Sequence, residues 1–533
     1  MKTNALYYGD NLDILRNRAH FPEECVDLIY LDPPFNSSRS YNVLFKESSG
    51  AASEAQIEAF EDTWHWGLPA ERAYEQVFSG RNQGVARMLK AMVEGLGRND
   101  VTAYLAMMAI RLVELHVVLK PTGSIYLHCD PTTGHYLKVI MDAVFDPRNF
   151  RNEVVWKRAS TVKSNFGQGA KSWGPATDSI LFYSKSDSYT FHQPFLPYSE
   201  SYTSGAYRHV ESGTNRRYRL VSMIGPGGAA KGNPQYDVMG VTRYWRYSKE
   251  QMERLVARGL VVQTKPGRVP HRKYYLDEGQ GVPLQSLWTD IGNLQAPAKE
   301  RIGYPTQKPL ALLERIIDAS SNAGDIVLDP FCGCGTAVQA AQALGRRWIG
   351  IDITHLAIGL VRRRMQDAFP GIEIEVIGEP KDLAGARDLA AMKPKQFEYW
   401  VVDKLDAVPT GGTGPDLDGV KPFMEFGGKG KRAVISVKGT KVVNPEMIRE
   451  VAGSLGDDKP IGILATLVEP TRGMKTQAAA AGFYESGGRK YQRLQTISVK
   501  EILEGKRPDL PSPASPFSRA PVEREKAQQD TLL

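Results

Sequence analysis

The chain is poor in cysteine and lacks long apolar runs, and both absences limit what it can be. Only four cysteines occur among 533 residues, and they are too irregularly spaced for a disulfide framework or a four-ligand zinc site. No apolar segment approaches the roughly 18 residues of a membrane span, and the N-terminus has no secretion-signal pattern. The sequence therefore predicts a large cytoplasmic protein of several domains.

Positive charge is concentrated in the middle of the chain. The whole chain carries a formal charge of +7, but residues 151–300 alone hold 21 Lys and Arg against 12 Asp and Glu. Eleven of the 23 tyrosines fall within residues 159–290. Cations for phosphate together with aromatic rings for base contacts favour a nucleic-acid recognition region. An irregular structural insertion with a solvated basic face is the alternative.

Two short segments end an apolar strand with an acid and a turn. They are LDPPF at residues 31–35 and LDPFCGCGT at residues 328–336. Around the first, a strand at 24–31 is followed by a helical pattern at 104–119, a strand at 124–130 and a helix at 135–145. This alternation predicts a doubly wound α/β sheet, in which both turns open at one edge.

The second of these turns has the composition of a ligand-binding loop. Gly333 and Gly335 allow a tight turn from strand to helix and let the backbone approach a ligand closely. Asp329 ends the strand before the loop, and Asp352 ends the next strand about twenty residues later. Asp352 is therefore placed to accept hydrogen bonds from ribose hydroxyls, as acids do in nucleotide-binding βαβ units.

DPPF and DPFCGCGT, in this order, resemble the catalytic and cofactor signatures of β-class DNA amino-methyltransferases, the DNA methylase N-4/N-6 family. The segment YPTQKPLALLERIIDASSNAGDIVLDPF at 304–331 resembles the text before their cofactor loop. FEDTWHW at 60–66 and HCDPTTGHYLK at 128–138 resemble text in these enzymes and in type III modification subunits. The resemblance covers about residues 1–378. It implies a Rossmann-like methyltransferase sheet, S-adenosylmethionine as cofactor and double-stranded DNA as substrate. A homodimer and a separate restriction subunit stay open as further partners.

The same resemblance implies the residues that hold the cofactor. Thr306, Gln307 and Lys308 would lie near the methionine end, and Phe331 and Thr336 would line the pocket. With the loop and strand-end residues the implied set is Thr306, Gln307, Lys308, Asp329, Phe331, Gly333, Gly335, Thr336 and Asp352. Cys332 and Cys334 replace the commoner small residues at positions where backbone contacts should dominate, so we expect them to leave binding intact.

The DPPF motif suits methylation of an exocyclic amino group, which is a poor nucleophile because its lone pair is delocalised into the ring. Asp32 and the Pro33 carbonyl would accept both amino hydrogens, Pro34 would complete the turn, and Phe35 would stack on an extruded base. Aspartate at the first motif position resembles mainly adenine N6 enzymes, whereas serine is typical of cytosine N4 enzymes. We therefore predict N6 of adenine, and N4 of cytosine stays open.

The last third of the chain has its own α/β pattern. A helix at FEYWVVDKL, a strand at KRAVISVKG and a helix at NPEMIREVAGSL resemble the order of the PD-(D/E)xK restriction-endonuclease-like fold. In that fold acids hold a divalent ion that activates water. The resemblance assigns Asp418 and Lys438 to such a site, with Mg²⁺ at Asp418. Ser436 stands where an acid or amide is expected, so cleavage stays open. A displaced carboxylate could come from Glu398, Glu446 or Glu450.

These patterns predict a methyltransferase sheet with an inserted recognition region and a smaller restriction-endonuclease-like α/β domain. The expected parts are 1–158 (catalytic), 159–290 (target recognition), 291–378 (cofactor binding), 379–393 (linker), 394–500 (endonuclease-like) and 501–533 (disordered tail). The leading hypothesis is a site-specific adenine methyltransferase in restriction-modification or epigenetic marking. A bifunctional methyltransferase and Mg-dependent endonuclease, a non-catalytic DNA-binding protein, and an RNA substrate remain alternatives. His128 and Asp130 could line the target-base pocket or make core hydrogen bonds.

Overall fold

The computed structural model describes most of the chain in two compact units, Gln193–Gln285 and the remainder. The described residues are 1–34, 65–80, 82–159, 176–294, 298, 300–302, 304, 306–409, 418–421 and 430–511, with backbone alone for 40–46, 52–61 and 422–424. The predicted base-stacking residue Phe35 and the predicted tail beyond residue 511 lie outside them.

The elements before and within the smaller unit are the following. Residues 1–192 form β1 (Ala5–Tyr8), α1 (Asn11–Arg16), β2 (Val26–Leu31), β3 (Ser40–Lys46), β4 (Ala52–Glu61), α2 (Leu68–Ser79), α3 (Gln83–Leu96), α4 (Asp100–Val118), β5 (Leu119–Cys129), α5 (Gly134–Phe145), β6 (Phe150–Lys157) and β7 (Thr177–Ser184). Residues 193–285 form β8 (Phe195–Leu196), α6 (Glu200–Ala206), β9 (His209–Val210), β10 (Arg217–Ser222), β11 (Gln235–Val238), β12 (Val241–Tyr244), α7 (Lys249–Ala257), β13 (Val261–Val262), β14 (His271–Tyr275) and β15 (Val282–Pro283).

The remaining elements return to the larger unit. Residues 286–378 form β16 (Leu287–Trp288), α8 (Leu310–Ser320), β17 (Ile326–Asp329), α9 (Thr336–Ala343), β18 (Arg347–Asp352), α10 (His355–Ala368) and β19 (Glu375–Ile377). Residues 379–511 form α11 (Leu383–Met392), α12 (Pro394–Lys404), β20 (Val408–Pro409), β21 (Gly419–Met424), β22 (Gly430–Lys438), α13 (Glu446–Gly453), β23 (Ile461–Thr466), α14 (Arg472–Ala480), β24 (Phe483–Ser486), β25 (Arg489–Gln492), β26 (Leu494–Ser498) and α15 (Val499–Leu503).

A nine-stranded sheet in the order β16-β6-β7-β5-β2-β17-β18-β1-β19 organises the larger unit. Strand β7 runs antiparallel to both its neighbours, and the other paired strands are parallel. The strand order reverses between β17 and β2, because the chain goes from β17 to β18 on one side and from β2 to β5 on the other. Open α/β sheets bind ligands at the carboxyl ends of strands at such a reversal. The predicted α/β sheet is confirmed, and both strand-end motifs lie at its switch point.

The central helix of the core is α4, which a capping box of Asn99 and Thr102 begins. By length and composition α4 would pass as a membrane-spanning helix, contrary to the expectation from the sequence. However, 67% of its most apolar window is buried inside the protein, where it packs against α2, α3 and α5. Its apolar character is therefore accounted for by the core.

The boundaries of the predicted insertion differ from those of the smaller unit. The segment TDSILFYS forms β7 between β5 and β6 in the main sheet, and β16 pairs with β6. The predicted range 159–290 was thus too wide at both ends, because charge and tyrosine content outweighed the short apolar run at 180–183. Residues 160–175 lie outside the described part.

The smaller unit contains a four-stranded sheet, β13-β14-β10-β9, and a hairpin of β11 and β12. Its small core includes Trp245 and Met252. In the register of β10 with β14, Arg219 lies opposite Tyr274, and the guanidinium stands 5.2 Å from the centre of that ring. Cations and aromatic rings are thus interleaved on one sheet, the combination that the composition of this region indicated.

The C-terminal part is built on the sheet β20-β21-β22-β23-β26, in which the first three strands are antiparallel and the last three are parallel. The predicted linker 379–393 is wrong: Asp382 caps α11, and Ala386 and Leu389 of that helix enter the core. The predicted tail is also wrong at its start, since residues 501–503 belong to α15, which a capping box of Ser498 and Glu501 begins.

Helices α10 and α12 join this part closely to the main sheet. Asp403 of α12 is 5% exposed, and its two carboxylate oxygens lie 2.7 Å from Arg362 and 3.3 Å from Arg363, both on α10. Gly359 leaves the room for this contact, because a Cβ there would come within 2.5 Å of the Asp403 carboxylate. The interface is therefore buried and charged.

Candidate functional site

A cavity of about 330 Å³ opens at the carboxyl ends of β2, β17, β18 and β1. These four strands are neighbours in the sheet, so the acids and turns that follow them converge on one space. Asp32 follows β2, Asp329 ends β17, Asp352 ends β18, and Gly9 follows β1. The two motifs that stand almost three hundred residues apart in sequence therefore line one site.

Asp352 presents a carboxylate to this cavity. One oxygen accepts a hydrogen bond from the backbone of Gly333 at 3.0 Å, and the other accepts from the backbone and hydroxyl of Thr354 at 2.9 Å each. Burial raises the pKa of Asp352 to about 6, although these hydrogen bonds oppose the rise. Near neutral pH the carboxylate is an acceptor suited to a pair of hydroxyl donors.

The two loop glycines have different roles. Gly333 has φ +47°, and a Cβ there would lie 3.2 Å from the ring of Tyr304 at the cavity wall. Gly335 has φ +75°, and a Cβ there would come within 2.7 Å of Val361 on α10. Gly333 therefore keeps the loop open toward the cavity, whereas Gly335 permits the close packing of the loop on α10.

The strand-end acid Asp329 and the following residues form another part of the wall. Asp329 is 4% exposed, and burial raises its pKa well above the usual range. One of its oxygens accepts from the backbone of Phe331 at 3.1 Å. Phe331 and Thr336 also line the cavity, and Arg364 donates to the Thr336 hydroxyl at 3.0 Å.

Asp32 is held by an ion pair that the sequence did not predict. The Lys308 ammonium lies 2.7 and 2.5 Å from the two oxygens of the Asp32 carboxylate. Both side chains are largely buried, and Pro33 and Pro34 line the cavity beside them. A charge-balanced carboxylate is thus fixed at the end of β2, beside the cavity that the glycine loop lines.

The neighbours of Lys308 in sequence divide between two roles. Thr306 lines the cavity with Lys308. Gln307 instead fastens the preceding loop, since its amide donates to the Glu300 carbonyl at 2.6 Å and accepts from the Ile302 backbone at 2.9 Å. Gln307 therefore shapes this loop, and its predicted cofactor role stays a prediction.

Among the cavity-lining residues that the sequence did not reveal are Gly9, Asp10, Asn11 and Arg111. Arg111 of α4 donates to both oxygens of Asp10 at 2.8 and 3.0 Å and to the Asn11 side chain at 2.6 Å. Asn11 in turn donates to the Pro330 carbonyl at 2.8 Å. With Gly9 they line the cavity. The signal was present in ALYYGD, an apolar strand ended by a glycine and an acid.

Comparison with known proteins assigns the chain to a family. A family model described as DNA methylase, for N6 and N4 enzymes, matches residues 26–361, more than half of the 533 residues. The chain belongs to this DNA methylase family. The methylase is 31% identical over 367 residues to the Type II methyltransferase M.EcaI of Enterobacter cloacae, covering 68% of this chain and 69% of that protein.

Two other relatives of this DNA methylase extend the comparison. The Type III restriction-modification enzyme StyLTI Mod subunit of Salmonella typhimurium is 28% identical over 354 residues, covering 64% of this chain and 50% of that subunit. The DNA adenine methyltransferase YhdJ of Escherichia coli is 26% identical over 371 residues, covering 69% and 84%.

Solved structures similar to the methylase are more distant. A DNA modification methylase of Thermus thermophilus, complexed with S-adenosyl-L-methionine, has 18% identity and a TM-score of 0.33, covering 70% of this chain and 97% of that one. The cytosine-N4-specific PvuII DNA methyltransferase has 14% identity and a TM-score of 0.34, covering 70% and 95%. At these scores neither structure adds to the family assignment.

The predicted nuclease residues lie at the ends of neighbouring strands of the C-terminal sheet, with Asp418 directly before β21 and Lys438 at the end of β22. Asp418 accepts from the backbone of Val437 at 2.5 Å, and burial raises its pKa. Lys438 pairs with Glu450 of α13 at 3.0 Å. Across the described residues, no group of three or more His, Cys, Asp or Glu side chains could hold a metal ion. Mg²⁺ at Asp418 therefore stays a prediction.

Proposed function

We propose that this DNA methylase transfers the methyl group of S-adenosylmethionine to the exocyclic N6 of adenine in double-stranded DNA. One observation carries the proposal. The acceptor pair of Asp32 and Pro33 borders the same cavity that Asp352 and Gly333 line. A cofactor held by the loop would therefore have its reactive end within the space that the DPPF turn borders.

The cavity suits S-adenosylmethionine at both ends. When bound, this cofactor supplies a methyl group made electrophilic by a positively charged sulfur. Asp352 would accept hydrogen bonds from the ribose hydroxyls, with Gly333 leaving room for the nucleoside. Thr306 and Lys308 would lie toward the methionine end, beside Asp32. The raised pKa of Asp352 fits a carboxylate whose water shell a ligand is meant to replace.

The DPPF turn supplies what a weak amino nucleophile lacks. The Asp32 carboxylate and the Pro33 carbonyl accept the two amino hydrogens, which draws electron density back to nitrogen and aims its lone pair into the cavity. Lys308 holds the carboxylate in one orientation and balances its charge. The target base must leave the duplex stack, and Phe35 is the residue that we propose it stacks on.

DNA recognition and partners follow from other parts of the chain. We assign target recognition to the unit Gln193–Gln285, where arginines and tyrosines share one sheet. The relative from Salmonella is named as a Mod subunit, which supports a separate restriction subunit as partner. A homodimer and a cytoplasmic location complete the proposal. The chain matches only half the length of that Mod subunit. The assembly of this methylase with a restriction subunit is therefore proposed independently of its chemistry.

Adenine is favoured by Asp32 and by the relative named as a DNA adenine methyltransferase. N4 of cytosine is the alternative, since the same two acceptors can orient any exocyclic amine. Sequencing of DNA from cells that express the chain, with Asp32→Ala as the matched control, separates the two. We expect methyl-adenine in one short motif, absent from the control. Methyl-cytosine would select the alternative, and no mark from a folded protein that binds S-adenosylmethionine would reject methyl transfer.

A second candidate function is Mg-dependent cleavage of DNA by the C-terminal part. The observation in its favour is the hydrogen bond that the Val437 backbone donates to Asp418, which sets the carboxylate near Lys438. Unmethylated supercoiled plasmid with Mg²⁺ should be nicked by the full chain and left intact by Lys438→Ala. Plasmid that stays supercoiled with the unaltered chain would reject the nuclease.

A further inference from the structure

A buried chain of polar side chains runs across three strands behind Asp32. The Tyr30 hydroxyl of β2 lies 3.0 Å from Nδ1 of His128 on β5, and Nε2 of His128 lies 3.2 Å from Asp178 on β7. Asp178 in turn pairs with Arg158 at 3.2 Å. Tyr30, His128 and Asp178 are each at most 2% exposed.

The hydrogen bonds of this network are all donated in one direction, from Tyr30 through His128 to Asp178. Burial alone would raise the pKa of Asp178, but the hydrogen bond from His128 and nearby positive charge, including that of Arg158, outweigh burial. The net pKa is lowered, so the residue is a carboxylate. A carboxylate can only accept, so Nε2 of His128 carries the proton and Nδ1 is the acceptor. Burial also lowers the pKa of His128, which keeps the ring neutral. The Tyr30 hydroxyl must therefore donate to Nδ1.

This direction matters because Tyr30 lies on β2 close to Asp32, which follows two residues later, just after the strand ends. Both residues line the same cavity. The Asp32 charge acts on the Tyr30 hydroxyl and, after burial, is the next cause of its raised pKa. A carboxylate is a stronger acceptor for a hydroxyl than a neutral ring nitrogen is. Among the charged groups that act on the Tyr30 hydroxyl, Asp32 is the first, so it is the acceptor that we expect the phenol to approach when His128 is absent.

We propose that His128 is a positioning residue that engages the Tyr30 hydroxyl and so leaves the lone pairs of the Asp32 carboxylate that Lys308 does not use available to the target amino group. Asp178 serves the same end by fixing the tautomer of His128, as a carboxylate behind a histidine does in catalytic triads. Apolar side chains could fill these buried positions at a lower desolvation cost. Stability alone therefore does not explain why polar side chains occupy them. The inference rests on the proposed methyl transfer.

The test uses the full chain and measures kcat for methylation of a duplex carrying its target motif. His128→Leu should lower kcat by about 10- to 100-fold, the range for a misplaced catalytic group, while the Kd for S-adenosylmethionine stays within about twofold. His128→Asn can still accept from Tyr30 through Oδ1, so it should retain more activity than His128→Leu. The double variant Tyr30→Phe/His128→Leu lacks the released hydroxyl and should recover activity relative to His128→Leu.

The controls separate this role from a general loss of packing. His116→Leu alters a partly buried histidine on α4, away from the network, and should leave kcat near the unaltered value. A double variant that stays as slow as His128→Leu, or slower, would overturn the inference. The inference would also be overturned if every His128 variant lost kcat together with cofactor affinity and had a lower Tm, because that pattern indicates a general loss of structure. Absence of methyl transfer by the unaltered chain would instead reject the proposed function.

Discussion

Cofactor binding should depend on pH through the Asp352 carboxyl. Its pKa is raised to about 6, and only the carboxylate can accept from two hydroxyls. If binding requires the ionised form, the apparent Kd for S-adenosylmethionine should be flat near pH 7. It should rise about tenfold per pH unit below 6, which makes binding at pH 5 about tenfold weaker than at pH 7.

The variant Asp352→Asn removes this titration. Loss of hydrogen bonds to a charged acceptor should weaken binding at pH 7 by about 1–3 kcal/mol, and the affinity should lose its tenfold decline toward pH 5. Asp329, whose pKa burial also raises, is present in both proteins, so its contribution cancels in the comparison. Isothermal titration calorimetry between pH 5 and pH 7 measures both quantities. Parallel pH profiles for the two proteins would refute the role of Asp352.

The raised pKa of Asp352 should also affect folding stability, and there a lower pH is favourable, whereas for cofactor binding it is unfavourable. An acid whose pKa is higher in the folded state holds its proton more tightly there. Its contribution to stability is therefore present below the unfolded pKa near 4 and is lost as pH rises through about 6. Without cofactor, Asp352→Asn should gain up to about 3 kcal/mol relative to the unaltered protein between pH 4 and pH 7. Urea unfolding at the two pH values measures it, and a pH-independent difference would contradict it.

Three further variants test the contacts around the site. Lys308→Met should abolish methylation and lower the free energy of unfolding by about 3 kcal/mol, because it strands the Asp32 charge; methylation assays and urea unfolding check both effects. Gly335→Ala should destabilise the protein by about 1–3 kcal/mol, since its Cβ would meet Val361 at a positive φ. Under conditions where this variant is fully folded, calorimetry should show a cofactor affinity close to that of the unaltered protein. Asp403→Ala leaves two arginines without their shared partner and should lower Tm in one cooperative transition, which differential scanning calorimetry would show.

The sequence predicted those parts of the site that depend on local pattern. Asp32, Asp329 and Asp352 each end an apolar strand, and parallel strands bring their carboxyl ends to one edge, so a common cavity followed from the pattern. The ion pair between Asp32 and Lys308 did not follow, because 276 residues separate the partners and the fold alone brings them together.

Other misses have equally specific causes. The buried histidine His128 looks the same in sequence whether it fills the core or holds Tyr30, since its partners lie on two other strands. Arg111 sits in an apolar helix, where its charge gave no indication that Asp10 would meet it. The segment 383–392 resembled a linker because its alanines and glycine carry little hydrophobic signal, yet those small side chains let α11 pack closely against α12.

The charged contact of α10 with α12 also bears on how such a protein can be cut or recombined. A fragment that ends near residue 378 would expose Arg362 and Arg363 without Asp403, on the helix that begins three residues after Asp352. The C-terminal part therefore cannot be removed without leaving the charged side chains of α10 unsatisfied. Exchange of this part between relatives would have to carry a matching α10 with it, and a truncated gene product should fail in methylation as well as in whatever the missing part does.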